Sequence, residues 1–326
     1  AEAMSERERS PRRSVGDAKA RLEAESQCVE RFSAEADVAA AHAIRKAYAP
    51  PKQSGFRVGA LLRFKRTDGS LGVIEGVNAE PHDANIRGAI CAERIALGEF
   101  QRTEASRGSK ITRVVCVTDF ATPIFPGACC REFLTATLDP NVEIIASGAE
   151  DTAAFQTLEL HKLLPLPSVY IGQAQKEMLA LGESLSKKIS PPSDDRFQKG
   201  YAKAAACAKR QGKQASVFPI LFAAAAQFSD GRVHAVWELK GMEYGCTVDA
   251  VSLLLPEMLR AREEGDVQTV SVVQVDNFGV AHAPFAAARA LMVEHGLGGV
   301  LVCAHDRTGQ WVEPILASEA MPTPST

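Results

Sequence analysis

Phe56-Arg-Val-Gly-Ala-Leu-Leu-Arg-Phe-Lys-Arg-Thr-Asp-Gly-Ser-Leu-Gly-Val-Ile-Glu-Gly-Val77 reads as a β-hairpin. Apolar residues alternate from Phe56 to Leu62, Thr67-Asp68-Gly69 is a turn signal, and Gly72 to Val77 returns as the paired strand. Ahead of the hairpin, Val38, Ala41, Ile44 and Tyr48 recur at helical spacing from Glu35 to Tyr48, and Pro50-Pro51 stops the helix. After it, Cys91 to Phe100 reads as a helix, Ile111 to Val117 as a buried strand, Cys130 to Ala136 as a second helix and Val142 to Ala146 as a further strand. Helix, hairpin, helix, strand, helix, strand is the order of an α/β sandwich.

That order starts again further along. Thr67-Asp-Gly69 is matched by Ser229-Asp-Gly231 and Ser54-Gly-Phe56 by Ser216-Val-Phe218. Gly88-Ala-Ile-Cys91-Ala92 is matched by Gly245-Cys-Thr-Val-Asp249-Ala250, and Pro126-Gly-Ala-Cys-Cys-Arg131 by Pro284-Phe-Ala-Ala-Ala-Arg289. A chain of 326 residues is long enough for about two domains, and the repeat makes them two copies of one. In the second copy the polar side chains are replaced: Asp249 stands for Cys91, Val251 for Glu93, Ser252 for Arg94, Trp237 for Asn78 and Leu239 for Glu80. The expected division is a tail over 1–29, a first domain over 30–172, a linker over 173–196, a degenerate second domain over 197–318 and a tail over 319–326. The first tail is dense in Arg, Glu and Ser and has too few large apolar side chains to order itself, and Ser190-Pro-Pro-Ser-Asp194 is linker chemistry.

Composition removes several function classes. Hydrophobic residues are 46% and charged residues 24%, as in ordinary soluble proteins, and no apolar run approaches the ~20 residues of a membrane span. With 37 Lys and Arg against 40 Asp and Glu, the net charge of −3 offers no basic excess for nucleic acid. No secretory signal stands ahead of the eight cysteines, so the expected compartment is the reducing cytoplasm, where clustered thiols are metal ligands or catalytic groups more often than disulfides. A core of this size needs no metal to hold it together, so a metal here points to chemistry.

Two clusters carry that chemistry. Cys91-Ala-Glu93-Arg94 opens a helix, whose dipole favours a thiolate at Cys91. Glu93 can reach the space beside a metal as a general base, and Arg94 can donate to thiolates and offset their charge. Pro126-Gly-Ala-Cys129-Cys130-Arg131 opens another helix of the same half and brings further thiolates. A zinc site that activates water needs three protein ligands and one open position.

These stretches resemble the zinc-dependent cytidine deaminases. Tyr48-Ala-Pro50, Ser54-Gly-Phe56-Arg-Val58-Gly59-Ala60, Asn78-Ala-Glu80 and Cys91-Ala-Glu93-Arg94 each look like a motif of that family, over about Ala34 to Ile315. The resemblance implies a three-layer α/β/α sandwich present twice, as in the two-domain homodimeric type. It also implies Zn²⁺ as cofactor, with Cys91, Cys129 and Cys130 as candidate ligands and Arg94 balancing their charge. Glu93 would be the proton shuttle of the zinc-bound water, Asn78 and Glu80 would bind the ribose hydroxyls, and Phe56 would pack near the base. The implied reaction is hydrolysis of cytidine or 2′-deoxycytidine to uridine or 2′-deoxyuridine in pyrimidine salvage.

One departure stands out. The family's P-C-x-x-C places two thiolates one helical turn apart, and this chain has Gly127 at the first of them. Ungapped, Cys130 is the second ligand; aligned on Gly-Ala-Cys, Cys129 is. In a regular helix adjacent side chains point about 100° apart, so one cluster does not aim both thiols alike. Three outcomes are open: an active enzyme with a rebuilt site, a weakened enzyme, or a pseudoenzyme that binds or assembles. Retention of Asn78, Glu80, Glu93 and Arg94 in the first half favours catalysis.

Overall fold

β1 (Val58–Lys65) is buried without interruption from Gly59 to Phe64, where one-sided alternation was expected, because helices cover both faces of its sheet. On one face Ala60, Leu62 and Phe64 join a core with Ala92, Ala96, Leu97 and Phe100 of α2 (Ala92–Thr103) and Leu134 of α3 (Ala128–Thr137). On the other, Leu61 packs with Val38, Ala41 and Ile44 of α1 (Ala34–Ala47), a helix capped by Ser33, whose hydroxyl accepts from the Ala36 N–H at 3.1 Å. The computed structural model describes residues 33–81, 88–149, 154–210, 219–241, 247–265 and 267–323.

The first sheet runs β2 (Leu71–Val77), β1, β3 (Lys110–Thr118), β4 (Glu143–Ser147), β5 (Phe155–Glu159). Only β3 and β4 are parallel. β5 and the short α4 (Leu160–Leu163) that follows it were not read from the sequence. Two glycines let the helices approach. A Cβ on Gly59 would lie 2.7 Å from the Ala41 carbonyl oxygen, and one on Gly76 would run into the carbonyl of Ala92, at the start of α2.

The second sheet repeats the order as β7 (Val233–Trp237), β6 (Phe222–Phe228), β8 (Thr269–Asp276), β10 (Leu301–Val302), β11 (Ile315–Leu316), with β9 (Ala281–His282) added on β8. α6 (Asp195–Lys209) covers one face through Phe197, Tyr201 and Ala204, and α7 (Ala250–Gly265) and α8 (Ala286–Glu294) cover the other. The fold class is therefore a three-layer α/β/α sandwich, present twice.

Three expectations change. The segment expected as linker holds α5 (Gln175–Leu185), whose fully buried Leu185 shares a core with Tyr170, Ile220 and Val280, so it packs instead of spanning open solvent. The segment expected as a closing tail includes Ala320 of α9 (Ala317–Ala320) and Met321, both buried, and Arg131 donates to the carbonyls of Pro322 and Thr323. The pairing of the halves also shifts. Val58 N–H donates to the Asn78 side chain at 2.8 Å, and Phe222 N–H donates to Glu238 at 2.6 Å. The bridges Ala79 to Ile90 and Leu239 to Val248 are likewise equivalent. Asn78 thus corresponds to Glu238 and not Trp237, and Glu80 to Lys240 and not Leu239. By the same register Ile220 stands for Phe56, and Phe218 lies outside the described residues.

Candidate metal centre and nucleoside pocket

Cys91 is the N-cap of α2 and Gly127 the N-cap of α3, so the two helix starts face one point. The Sγ atoms of Cys91 and Cys130 and a carboxylate oxygen of Glu93 all lie within 4.8 Å of one another. Glu93 and Cys130 are buried and Cys91 is half-buried. Cys129, one residue earlier on α3, is exposed and stands outside this group. The helix period separates the two neighbours: the third residue of the helix turns inward and the second turns out. Of the three cysteines read as candidate ligands, the structure brings two together.

The sulfurs are electrically unlike. A hydrogen bond with Cys130 draws the Cys91 thiol down to about 7 against the opposing effects of burial and Glu93, and Arg94 helps, with Nη2 3.7 Å from Cys91 Sγ. The Cys130 thiol is pushed up by the same hydrogen bond and by burial. Cys91 is thus the readier thiolate near neutral pH. Arg94 also donates to the Ala89 carbonyl at 3.3 Å, while its buried Nε has no partner among the described residues. Behind the cluster, burial pushes the Cys116 thiol far up, so it stays a neutral core residue.

Cys91 and Glu93 open onto a cavity of about 240 Å³ that Phe56, Asn78 and Glu80 also line. Asn78, at the end of β2, accepts from Val58 N–H and donates to the Phe56 carbonyl at 2.9 Å, which fixes the chain on either side of Phe56's neighbour Arg57. An amide has four hydrogen-bonding valences, so one N–H and one lone pair are left for a ligand. Glu80 accepts from the Ser54 N–H at 3.0 Å and the Ser54 hydroxyl at 2.7 Å. Thr118, Ile124 and Phe125 form the far wall. Sequence reasoning missed these three, since apolar side chains and one threonine carry no motif; only the strand and turn that place them could have pointed to them. His82, two positions after the Asn78-Ala-Glu80 stretch in sequence, lies outside the described residues.

Two further residues of α3 face the join between the halves. Arg131, fully buried, donates to the Pro126 carbonyl at 2.7 Å and the Leu163 carbonyl at 3.1 Å, which fixes the start of α3. Glu132 accepts from the N–H of Ala286, the first residue of α8, at 3.2 Å.

Solved structures similar to this chain are cytidine deaminases. That of Burkholderia pseudomallei is 26% identical over 41% of this chain and 98% of its own, with a TM-score of 0.35. The Mycobacterium leprae enzyme is 29% identical over 39% of this chain and 93% of its own, with a TM-score of 0.29. The Bacillus anthracis enzyme is 17% identical over 44% and 96%, with a TM-score of 0.28. No protein-family profile and no curated protein matches the chain.

Proposed function

We propose that the first half is a zinc-dependent hydrolytic deaminase of cytidine and 2′-deoxycytidine. The observation that carries this reading is the meeting of Cys91, Glu93 and Cys130 at a cavity that Phe56, Asn78 and Glu80 also line. Two sulfurs, one of them readily ionised, suit Zn²⁺, which would be held by Cys91 and Cys130 as two of the three protein ligands that a water-activating site takes, with the buried Glu93 carboxylate beside them. When bound, the ion supplies the Lewis acidity that makes water a nucleophile near neutral pH.

The rest falls to the chain's own side chains. Glu93 takes one proton from the attacking water and delivers it to N3 of the pyrimidine, then takes the second from the hydroxyl now on C4 and gives it to the amino group, which leaves as ammonia. Asn78 and Glu80 hold the ribose hydroxyls through their remaining hydrogen-bonding capacity, and Phe56 packs beside the base. A neutral nucleoside needs such amide and carboxylate partners and no basic cradle. The reading extends to pyrimidine salvage in the cytoplasm by a homodimer. No helix among the described residues is long and apolar enough to cross a membrane.

The test is the loss of the cytidine absorbance band and release of ammonia when zinc-loaded protein is added. Glu93→Gln is expected to slow both by about 10²–10⁴-fold. Protein that holds zinc and leaves cytidine unchanged at high enzyme concentration would end this reading. The alternative, a pseudoenzyme with a binding or assembly role, is favoured by Gly127 at the N-cap and by the outward-facing Cys129. It predicts no bound zinc and indifference to Glu93→Gln.

A further inference from the structure

Ser168, His282 and Asp276 form a line of hydrogen bonds away from the Cys91 cluster. The Ser168 hydroxyl lies 3.2 Å from His282 Nδ1, and His282 Nε2 lies 3.1 Å from Asp276 Oδ2. Asp276, at the end of β8, is wholly buried and also accepts from the Tyr170 hydroxyl at 2.6 Å and from the N–H groups of Phe278 and Val280 at 2.9 Å each. A carboxylate oxygen facing Nε2 fixes the tautomer: Nε2 carries the proton, and the Nδ1 lone pair is turned to the serine. The imidazole is held between the rings of Tyr170 and Phe222, at 5.1 and 5.2 Å.

The serine end of this line opens on a cavity. Ser168 lines a space of about 510 Å³ between the two halves, walled largely by Ile220, Phe222, Phe285 and Met178, with Glu132 and with Lys240, which is ion-paired to Glu238 at 3.0 Å, as the charged side chains of its lining. The Ser168 hydroxyl also accepts from the Tyr170 N–H at 3.3 Å, which leaves its own proton for His282 Nδ1. We propose that this is a second, esterolytic site for small apolar acyl or aryl esters, with Ser168 as nucleophile, His282 as general base and Asp276 as the group that orients it.

The step balances without an outside oxidant or reductant. Ser168 Oγ gives its proton to His282 Nδ1 and bonds to the ester carbonyl carbon; the bond from that carbon to the alkoxy oxygen breaks, and the leaving alcohol takes the proton from Nδ1. Water then gives a proton to Nδ1 and bonds to the acyl carbon, and Ser168 Oγ leaves with the proton returned. Lys240 offers positive charge to the oxyanion that forms in each half-reaction.

The test uses the full chain with two probes, p-nitrophenyl butyrate for turnover and an alkyl fluorophosphonate for covalent trapping. A single phosphonyl adduct mapped to Ser168 is expected. Ser168→Ala is expected to lose the adduct and at least about 100-fold of the p-nitrophenol release while melting as the wild type does. Natively melting wild type that takes no adduct at Ser168, or Ser168→Ala that hydrolyses the ester at the wild-type rate, would overturn the proposal. Because His282→Gln can unfold a buried network, the half-buried Ser168 hydroxyl is the deciding position.

Discussion

Leu166 and Thr323 do the same work in opposite directions across the join of the two halves. Each follows the last helix of its own half, and each gives its carbonyl to the buried arginine of the other: Thr323 to Arg131, Leu166 to Arg289. They are also the two non-glycine residues with positive φ among the described residues, at 46° and 49°. Such a backbone conformation costs a bulky residue on the order of 1–2 kcal/mol, so the surrounding contacts must hold it. Those contacts are the guanidinium hydrogen bonds. Burial draws both arginines down to about 10, still well above neutral pH, so both remain cations that need every acceptor they have. The two halves are thus stapled by an exchange of the segments that close each of them.

Removing Pro322 to Thr326 is therefore expected to destabilise the whole chain. Arg131 would lose the Pro322 and Thr323 carbonyls and keep those of Pro126 and Leu163, a loss of roughly 2–4 kcal/mol for two acceptors of a charged donor. Thr323→Gly keeps the carbonyl and removes the strain, so it is expected to stay within about 1 kcal/mol of the wild type. Thermal melting of the two variants side by side separates the backbone acceptor from the side chain. Equal melting of the truncated and intact chains would mean the exchange contributes nothing.

Asp37 is the corresponding weak point on the outer face of the first sheet. It lies in the first turn of α1, almost fully buried, and its oxygens meet Arg63 Nε at 2.8 Å and Arg113 Nη1 at 2.8 Å. Asp37→Ala leaves two cations without that partner, and breaking a buried pair from one side costs about 3–5 kcal/mol. The urea midpoint should fall accordingly, with Asp37→Asn falling less because the amide oxygen still accepts one hydrogen bond.

Acid should loosen the fold before most carboxylates titrate. His42 and His305 are buried neutral and burial lowers both to about 4; His42 is also opposed by Arg45 and His305 by His282. Their folded values lie below the ordinary 6.5, so the unfolded chain takes up the protons first. The stability they contribute is full above pH 6.5 and is lost as the pH falls toward 4, at about 1.4 kcal/mol for each unit of separation. Urea midpoints should drop steadily from pH 6.5 to 5. A flat profile over that window would show that both imidazoles reach solvent.

The fold was legible because its signals are local. Turn residues mark the hairpins, and the apolar period marks α1 and β1. The register between the halves was not, because it is set by bridges such as Ala79 to Ile90, whose partners lie outside any local pattern. One misplaced residue in the second hairpin put Trp237 where Glu238 belongs. In the candidate site, Cys91 and Glu93 stood out only through the second cysteine cluster and the family resemblance, since a Cys, a Glu and an Arg at a helix start are common by themselves. The choice between Cys129 and Cys130 was not legible, because it turns on where α3 begins, and the sequence expectation began that helix at Cys130, whereas it begins at Ala128.

That start also decides what Gly127→Cys should do. Gly127 caps α3 as Cys91 caps α2, and Cys130 lies three residues on, one turn deeper on the same side. A thiol at position 127 would therefore project from the helix start toward the Cys91 and Cys130 sulfurs, whereas Cys129 points to solvent. The substitution is expected to tighten zinc binding by more than about 10-fold, since it completes three thiolate ligands and leaves Glu93 free to move protons. Cys129→Ser is expected to leave zinc content unchanged, and Cys130→Ser to abolish it. Metal analysis of the three proteins after dialysis against a weak chelator reads all of this at once. Zinc retained by Cys130→Ser but lost from Cys129→Ser would place the ligand on the other cysteine and require α3 to begin one residue later.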